Sequence, residues 1–234
     1  MFDYHVHVSG MPITERYKPL VMNELEKSLT KNNITSFLGI ISPGSLFSED
    51  DFTGLPPYYA FFDINARGLR TVKKLGGYPA VRMQLKMPFM DEVFRRIKEN
   101  NIQYLKLFYN KQEDDIGKLI NLITQASDND IKAILMHTPS NYNLINPVFE
   151  LVNKKDIQLI LGHGCYLSKE LVSYVLDYDF LVDTSNNPLK NILFWIENEA
   201  EENLVFGSDW PCNPMGYVDW DKQTVEIKKV YNFI

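Results

Sequence analysis

Two histidines, His5 and His7, lie two positions apart in DYHVHV, the first apolar segment of the chain. Side chains at positions i and i+2 of a β-strand point to the same face, so a strand here would present both imidazoles together. Imidazole is a frequent ligand of divalent transition metals. A His-x-His pair alone, however, also fits two histidines that are hydrogen-bonded within a protein core.

The chain has only two other histidines, and each of them ends an apolar segment. His137 ends IKAILMH, His163 ends IQLILGH, and Asp209 ends NLVFGSD in the same way. If these segments are parallel strands of a barrel, their carboxyl ends lie on one rim, where active sites of that architecture form. Imidazole nitrogens and a carboxylate oxygen suit Zn²⁺ or another divalent transition metal that keeps an open coordination position. We therefore predict a metal site that combines all four histidines with Asp209.

The elements that must position these residues are short apolar segments that alternate with helix-like segments. Parallel neighbouring strands need a crossover between them, so this alternation predicts a parallel sheet. The predicted strands are 2–8, 34–42, 58–65, 102–110, 131–137, 157–163, 180–185 and 203–209, and the predicted helices are 20–32, 89–100, 114–128, 144–155, 168–177 and 189–200. Eight units in 234 residues predict a single α/β domain, 1–234, with a (β/α)8 TIM-barrel fold. A doubly wound open sheet is the competing architecture.

Residues 66–88 fit this alternation poorly, and YPAVRMQL within them reads as an extra strand or an insertion. The formal net charge of −6 argues against a nucleic-acid partner, since phosphate attracts basic surfaces. No apolar run is long enough to cross a bilayer, and the first residues do not resemble a signal peptide. Two cysteines are too few for a disulfide framework. We therefore expect a cytoplasmic protein without a membrane or nucleic-acid partner.

The motifs DYHVHV, LMHTP, LGHG and FGSDWP, in this order, resemble those of the amidohydrolase superfamily. The resemblance is closest to the branch of TIM-barrel enzymes that includes aminocarboxymuconate-semialdehyde decarboxylase and small lactonases. It spans most of the chain and implies a slightly truncated or distorted barrel, because members of this family commonly run longer. It also implies one metal ion per chain, bound by His5, His7, His137 and Asp209. His163 then either binds the metal directly or orients the attacking water and polarises the substrate.

Three further residues are candidates for substrate binding. Lys106, in YLKLF, either meets a substrate carboxylate or, as in some members of the superfamily, is carboxylated and bridges two metals. Arg82 could hold an anionic group through two hydrogen bonds, as guanidinium does well. Trp210, in FGSDWP, could form part of the pocket wall. The structural alternative for Arg82 is a surface or interhelical charge. For Trp210 it is an aromatic side chain that only packs over the barrel mouth.

The function implied by the resemblance is hydrolysis of a C–N or C–O bond of a small amide, lactone or ester. Metal-activated water would attack the carbonyl carbon, and Asp209 and His163 would be the catalytic residues. The alternatives are a metal-dependent, non-oxidative decarboxylase of an unsaturated or aromatic acid, and a catalytically inactive metal-binding barrel. A polymerase-and-histidinol-phosphatase type of phosphoesterase also begins with His-x-His, but it needs more histidines than this chain contains. The expected partner is a small-molecule substrate, and a homodimer remains open.

Overall fold

The computed structural model describes residues 1–9, 18–47, 67–87, 89–109, 115–137, 146–163, 168–187 and 189–210. The strands are β1 (Phe2–His7), β2 (Ser36–Ile41), β3 (Tyr78–Gln84), β4 (Tyr104–Phe108), β5 (Ala133–His137), β6 (Gln158–Gly162), β7 (Leu181–Asp183) and β8 (Leu204–Val205). The helices are α1 (Lys18–Lys31), α2 (Arg67–Lys74), α3 (Met90–Glu99), α4 (Ile116–Asp128), α5 (Asn146–Lys154), α6 (Lys169–Tyr178) and α7 (Leu189–Glu197). Single-turn 3₁₀ helices span Pro43–Leu46 and Glu201–Asn203.

The strands follow one another in the sheet in the order in which they occur along the chain, from β1 to β8. A doubly wound sheet would reverse its strand order at a switch point, whereas sequential parallel strands joined by helices are those of a (β/α)8 barrel. The first strand is hydrogen-bonded along both edges. It pairs with β2 on one side, and on the other Tyr4 N donates to Phe206 O at 2.8 Å. The predicted TIM-barrel fold is confirmed.

The Cα positions divide the chain into two compact units, Met1–Ala80 with Phe206–Ile234, and Val81–Val205. In the first unit β1 and β2 are paired in parallel, and Val6 on β1 and Phe37 and Ile40 on β2 are fully buried. Gly39 lies in the middle of β2, and a Cβ atom there would lie 2.5 Å from Cγ2 of Val72 on α2. The glycine therefore lets the helix pack directly on the strand.

In the second unit, β4, β5 and β6 pair residue for residue in unbroken parallel register. Their central residues are fully or almost fully buried, in keeping with strands that are covered on both faces. The helices bury one stripe of apolar side chains each. Helix α4 begins with a side-chain N-cap: Asp115 accepts a hydrogen bond from Gly117 N at 2.6 Å.

The third position in the sheet belongs to β3, which is formed by the YPAVRMQ segment that fits the sequence pattern poorly. The predicted strand 58–65 lies outside the described residues, and α2, just before β3, was not among the predicted helices. The short turn with Gly76 at φ 76° joins α2 to β3 and sets the two close together. Among the described residues, none of the helices is long and apolar enough to cross a bilayer.

Candidate metal centre

In the first unit, His5, His7 and Asp209 come together around one carboxylate oxygen. The Nε2 atoms of His5 and His7 each lie 3.1 Å from Oδ1 of Asp209. The two imidazole rings are 5.2 Å apart between centroids, and both point to the same side of β1, as the alternation of side chains along a strand requires. His5 is fully buried, while His7 and Asp209 are 3% and 5% exposed. Three potential ligand atoms are thus held together almost without solvent.

This donor set fits a zinc-like divalent cation. Zinc binds imidazole nitrogen and carboxylate oxygen at about 2.0–2.2 Å. Two such ligand atoms that lie 3.1 Å apart subtend an angle of roughly 90–100° at the ion, between the octahedral and the tetrahedral value. One ion can therefore meet both Nε2–Oδ1 separations with ordinary bond lengths. Two neutral imidazoles and one carboxylate are also the type of ligands that leave coordination positions open.

A buried carboxylate positions the backbone on both sides of this cluster. Oδ1 of the fully buried Asp3 accepts hydrogen bonds from His5 N and from Ser208 N, both at 3.0 Å. The register between β1 and β2 shifts between Asp3 and Val6, so His5 lies in a bulge. Bulges re-aim side chains and are frequent next to active sites. Asp3 therefore fixes the first histidine and the residue before Asp209 relative to each other.

Asp209 has a left-handed backbone conformation, with φ 56°. Non-glycine residues rarely adopt this conformation, which stores strain unless the surroundings hold it. The surroundings are the residues on either side: Ser208 Oγ donates to His5 O at 3.3 Å and accepts from Trp210 N at 3.1 Å. Trp210 O in turn accepts from His7 N at 2.6 Å. This bonding keeps the Asp209 side chain directed at the two histidines.

The second unit contains the other two histidines, at the ends of adjacent strands. His137 is the last residue of β5, and His163 immediately follows β6. Their rings are 4.7 Å apart between centroids and are nearly perpendicular, at 74°. Both side chains are half-buried. His163 also has a left-handed backbone, with φ 66°, and its Nδ1 lies 2.9 Å from Oγ of Ser185, just beyond β7.

The ring of Phe108, the last residue of β4, contacts two cationic side chains of this unit. Its ring stacks on His137 with centroids 5.0 Å apart. The guanidinium carbon of Arg82 lies 4.4 Å from the centroid of the Phe108 ring, and Nζ of Lys106 lies 5.4 Å from it. Arg82 is half-buried, whereas Lys106 is fully buried. Both contacts are within the range of cation–π attraction.

Gly162, the last residue of β6, makes room for buried polar groups. A Cβ atom at this position would lie 3.3 Å from Nζ of Lys106 and 3.7 Å from Oδ2 of Asp183. Asp183 ends β7 and is fully buried, like Lys106. The absent side chain thus leaves space in which a buried ammonium and a buried carboxylate approach the same point of the backbone.

The structure places every predicted site residue, each within its own unit. His5, His7, Asp209 and Trp210 belong to the first unit, and Arg82, Lys106, His137 and His163 belong to the second. Trp210 is buried, and its backbone contacts Val6 and His7 of β1 and donates to Oγ of Ser208. The roles of these residues in metal and substrate binding stay predictions.

Sequence reasoning did not find three residues that hold the site residues in place: Asp3, Ser185 and Phe108. The spacing of Asp3 and His5 is a weak signal, because an aspartate often bonds the backbone N–H two residues further on. Ser185 has the same spacing after Asp183. Phe108 looked like any aromatic residue of a buried strand.

No protein-family model matches the chain, and no curated protein matches it. Solved structures do share its fold. Adenine deaminase from Arthrobacter aurescens aligns with a TM-score of 0.58 and 15% identity over 93% of this chain and 69% of that one. Guanine deaminase from C. acetobutylicum aligns with a TM-score of 0.52 and 14% identity over 98% and 66%. An amidohydrolase from Burkholderia ambifaria, with bound Zn, aligns with a TM-score of 0.50 and 11% identity over 81% and 57%.

This chain thus shares the fold of two deaminases and of an amidohydrolase with bound Zn. Sequence identities of 11–15% are low, so the likeness concerns the fold. A fold of this kind carries many different activities, and the activity has to be argued from the site.

Proposed function

We propose that this protein is a metal-dependent hydrolase of the amidohydrolase type. The observation that carries the proposal is the convergence of the His5 and His7 Nε2 atoms on Oδ1 of Asp209, at 3.1 Å each. If these two imidazoles and the carboxylate served only to stabilise the fold, neither the bulge in β1 nor the left-handed backbone of Asp209 would be needed. Strained backbone of this kind is concentrated at functional sites.

The proposed ligands of one Zn²⁺, or another divalent transition metal, are His5, His7, His137 and Asp209, with His163 as a fifth ligand or as a residue next to the ion. His7 and His137 end their strands, His163 and Asp209 follow theirs, and His5 lies two residues before the end of β1. The carboxyl ends of the strands are where enzymes of this architecture build their active sites. A bound divalent cation supplies a Lewis acid and lowers the pKa of water towards about 7.

The chain's own residues supply the proton transfers. In the proposal, Oδ2 of Asp209, the carboxylate oxygen that does not face the two imidazoles, accepts the proton that the attacking water loses. It then passes this proton to the leaving nitrogen or oxygen. A general base has to lie within hydrogen-bond reach of the proton that it accepts. Asp209 meets this condition in the proposal, because its carboxylate lies beside the imidazoles that would bind the same ion. His163 stabilises the negative charge that develops on the carbonyl oxygen, a type of electrostatic help that contributes strongly to such reactions.

We further propose that the substrate carries a carboxylate. Arg82 and Lys106 place two cationic groups around Phe108, whose ring stacks on His137. The guanidinium is suited to holding a carboxylate through two hydrogen bonds, and Trp210 is proposed as an apolar contact. An acidic substrate also suits the alternative reaction, a non-oxidative decarboxylation, and product analysis separates the two. A hydrolase consumes water, whereas a decarboxylase releases carbon dioxide.

Activity on a panel of lactones, esters and amides, each with and without a carboxylate, tests this proposal. We expect turnover that a chelator abolishes and that added Zn²⁺, Mn²⁺ or Co²⁺ restores. Asp209→Asn should lower kcat by at least about 100-fold, the lower end for a general base, while Asp177→Asn, on the exposed face of α6, should leave it unchanged. Arg82→Gln should raise KM for acidic substrates alone. Turnover that survives complete metal removal would refute the proposal.

A cytoplasmic location and a homodimer stay predictions from the sequence. Gel filtration with light scattering tests the second of these directly. A monomer at all concentrations would reject it without affecting the proposed chemistry.

A further inference from the structure

His163 is held in a conformation that its own backbone does not favour. Its φ of 66° is left-handed, a region that non-glycine residues with a Cβ atom rarely adopt. A side chain that extends from such a backbone needs a contact that fixes its direction. One contact that does so is the hydrogen bond between Nδ1 of His163 and Oγ of Ser185, at 2.9 Å.

Ser185 is itself rigidly held. It is fully buried, and its backbone N–H donates to Oδ1 of Asp183 at 2.6 Å, which ties it to the end of β7. The other carboxylate oxygen of Asp183 faces the space above Gly162, on the strand that leads into His163. Ser185 therefore joins the ends of β6 and β7, and its hydroxyl reaches the imidazole from a fixed point of the barrel.

We propose that Ser185 is a positioning residue that sets the tautomer of His163. In the neutral imidazole one ring nitrogen carries the proton and the other has a lone pair. Ser185 Oγ accepts the Nδ1–H of His163, and this leaves the lone pair on Nε2, directed away from Ser185. A lone pair on Nε2 is what His163 needs either to bind a cation or to accept a proton. The choice of Ser185 as the acceptor and its catalytic consequence both rest on the proposed function, whereas the tautomer itself is measured independently of that function.

The reverse direction of this hydrogen bond corresponds to the other tautomer of His163. If the Ser185 hydroxyl donated to Nδ1, the proton of the ring would lie on Nε2, and His163 could only donate a hydrogen bond to its surroundings. The two arrangements share the same heavy-atom distance of 2.9 Å. They differ in which nitrogen is protonated, and that is measurable by NMR without any substrate.

The experiment uses the full chain, labelled with ¹⁵N and freed of metal with a chelator. Two-bond ¹H–¹⁵N correlation spectra distinguish protonated from unprotonated ring nitrogens, and only four histidines contribute to them. The spectrum of His163→Asn assigns the His163 signals. At about pH 8.5, well above the usual imidazole pKa of about 6.5, we expect Nδ1 of His163 to be protonated and Nε2 to be unprotonated.

Ser185→Ala should shift His163 towards the Nε2–H tautomer, and Ser185→Thr, which keeps the hydroxyl, should restore the wild-type pattern. Ser173→Ala is the matched control, since this exposed hydroxyl on α6 bonds the carbonyl of Lys169. A wild-type His163 protonated on Nε2 would overturn the inference, and this result needs no variant to fold. An unchanged tautomer in folded Ser185→Ala would also overturn it.

The tautomer and the proposed function fail separately. An Nδ1–H tautomer in a protein that neither binds zinc nor turns over any substrate would leave the positioning role intact and reject the hydrolase. An Nε2–H tautomer in a zinc-dependent hydrolase would reject the positioning role alone.

Discussion

Removal of the Asp3 carboxylate is the perturbation whose effect the structure predicts most directly. One oxygen of this fully buried side chain accepts two backbone hydrogen bonds, from His5 N and from Ser208 N, at 3.0 Å each. Asp3→Ala leaves both N–H groups buried without this acceptor. Each such group costs about 1–3 kcal/mol, so the two together should cost about 2–6 kcal/mol of unfolding free energy.

Two comparisons make this prediction specific. Asp3→Asn keeps an oxygen at the same position and loses only the charge, so it should cost less than half as much, because hydrogen bonds to charged acceptors are roughly twice as strong. Asp177→Ala removes an exposed carboxylate on α6 and should change stability by less than about 0.5 kcal/mol. Most domains are stable by only about 5–15 kcal/mol, so the Asp3→Ala effect should be large.

Urea denaturation, followed by far-ultraviolet circular dichroism, measures all three variants in the metal-free protein. We also expect weaker zinc binding by Asp3→Ala, because Asp3 holds the backbone of His5, in the bulge, and of Ser208, which precedes Asp209. An Asp3→Ala protein within about 1 kcal/mol of the wild type would refute the assignment of Asp3 as the residue that holds the two segments together.

Two other changes test the fold around the site. Hydrogen bonds from Arg95 and Arg96 lower the pKa of Glu92 from 4.5 to about 2. A carboxylate whose folded pKa is lowered adds stability above its unfolded pKa and loses it as the pH falls through the folded value. Because this side chain is 36% exposed, Glu92→Gln should cost less than about 1 kcal/mol at neutral pH, and the difference should vanish in urea titrations between about pH 4.5 and 2. Gly39→Ala would place a Cβ 2.5 Å from Cγ2 of Val72, so it should lower the unfolding free energy by about 1–3 kcal/mol; unchanged stability would contradict the close packing of α2 on β2.

Much of the fold could be predicted from the sequence, because strands that are buried on both faces leave a clear pattern. Strands β4 to β7 lie within the predicted segments, since runs such as YLKLF and AILMH are apolar except for one residue each. The third strand could not be assigned with the same pattern. YPAVRMQ contains a proline, an arginine and a glutamine, and Arg82 is half-buried rather than at the surface. The polar residue that obscured the strand is one that the structure places beside Phe108.

The four histidines of the candidate site could also be predicted from the sequence, but the residues that orient them could not. Alternation along a strand predicts that His5 and His7 share a face, and strand ends predict where His137 and His163 lie. The bonds of Asp3 and Ser185 depend on a bulge and on a turn after β7, at a precision of a few tenths of an ångström. Residue types and spacing carry no information at that scale, so such contacts require coordinates.

The metal content of gently purified protein tests the central claim most directly. Inductively coupled plasma mass spectrometry should find about one zinc or other divalent transition-metal ion per chain, and the double variant His5→Ala/His7→Ala should lose it while Arg70→Gln, exposed on α2, retains it. Both variants should be folded by circular dichroism for the comparison to hold. Wild-type protein that stays free of metal after incubation with a stoichiometric amount of zinc, or a double variant that binds as much as the wild type, would contradict the account.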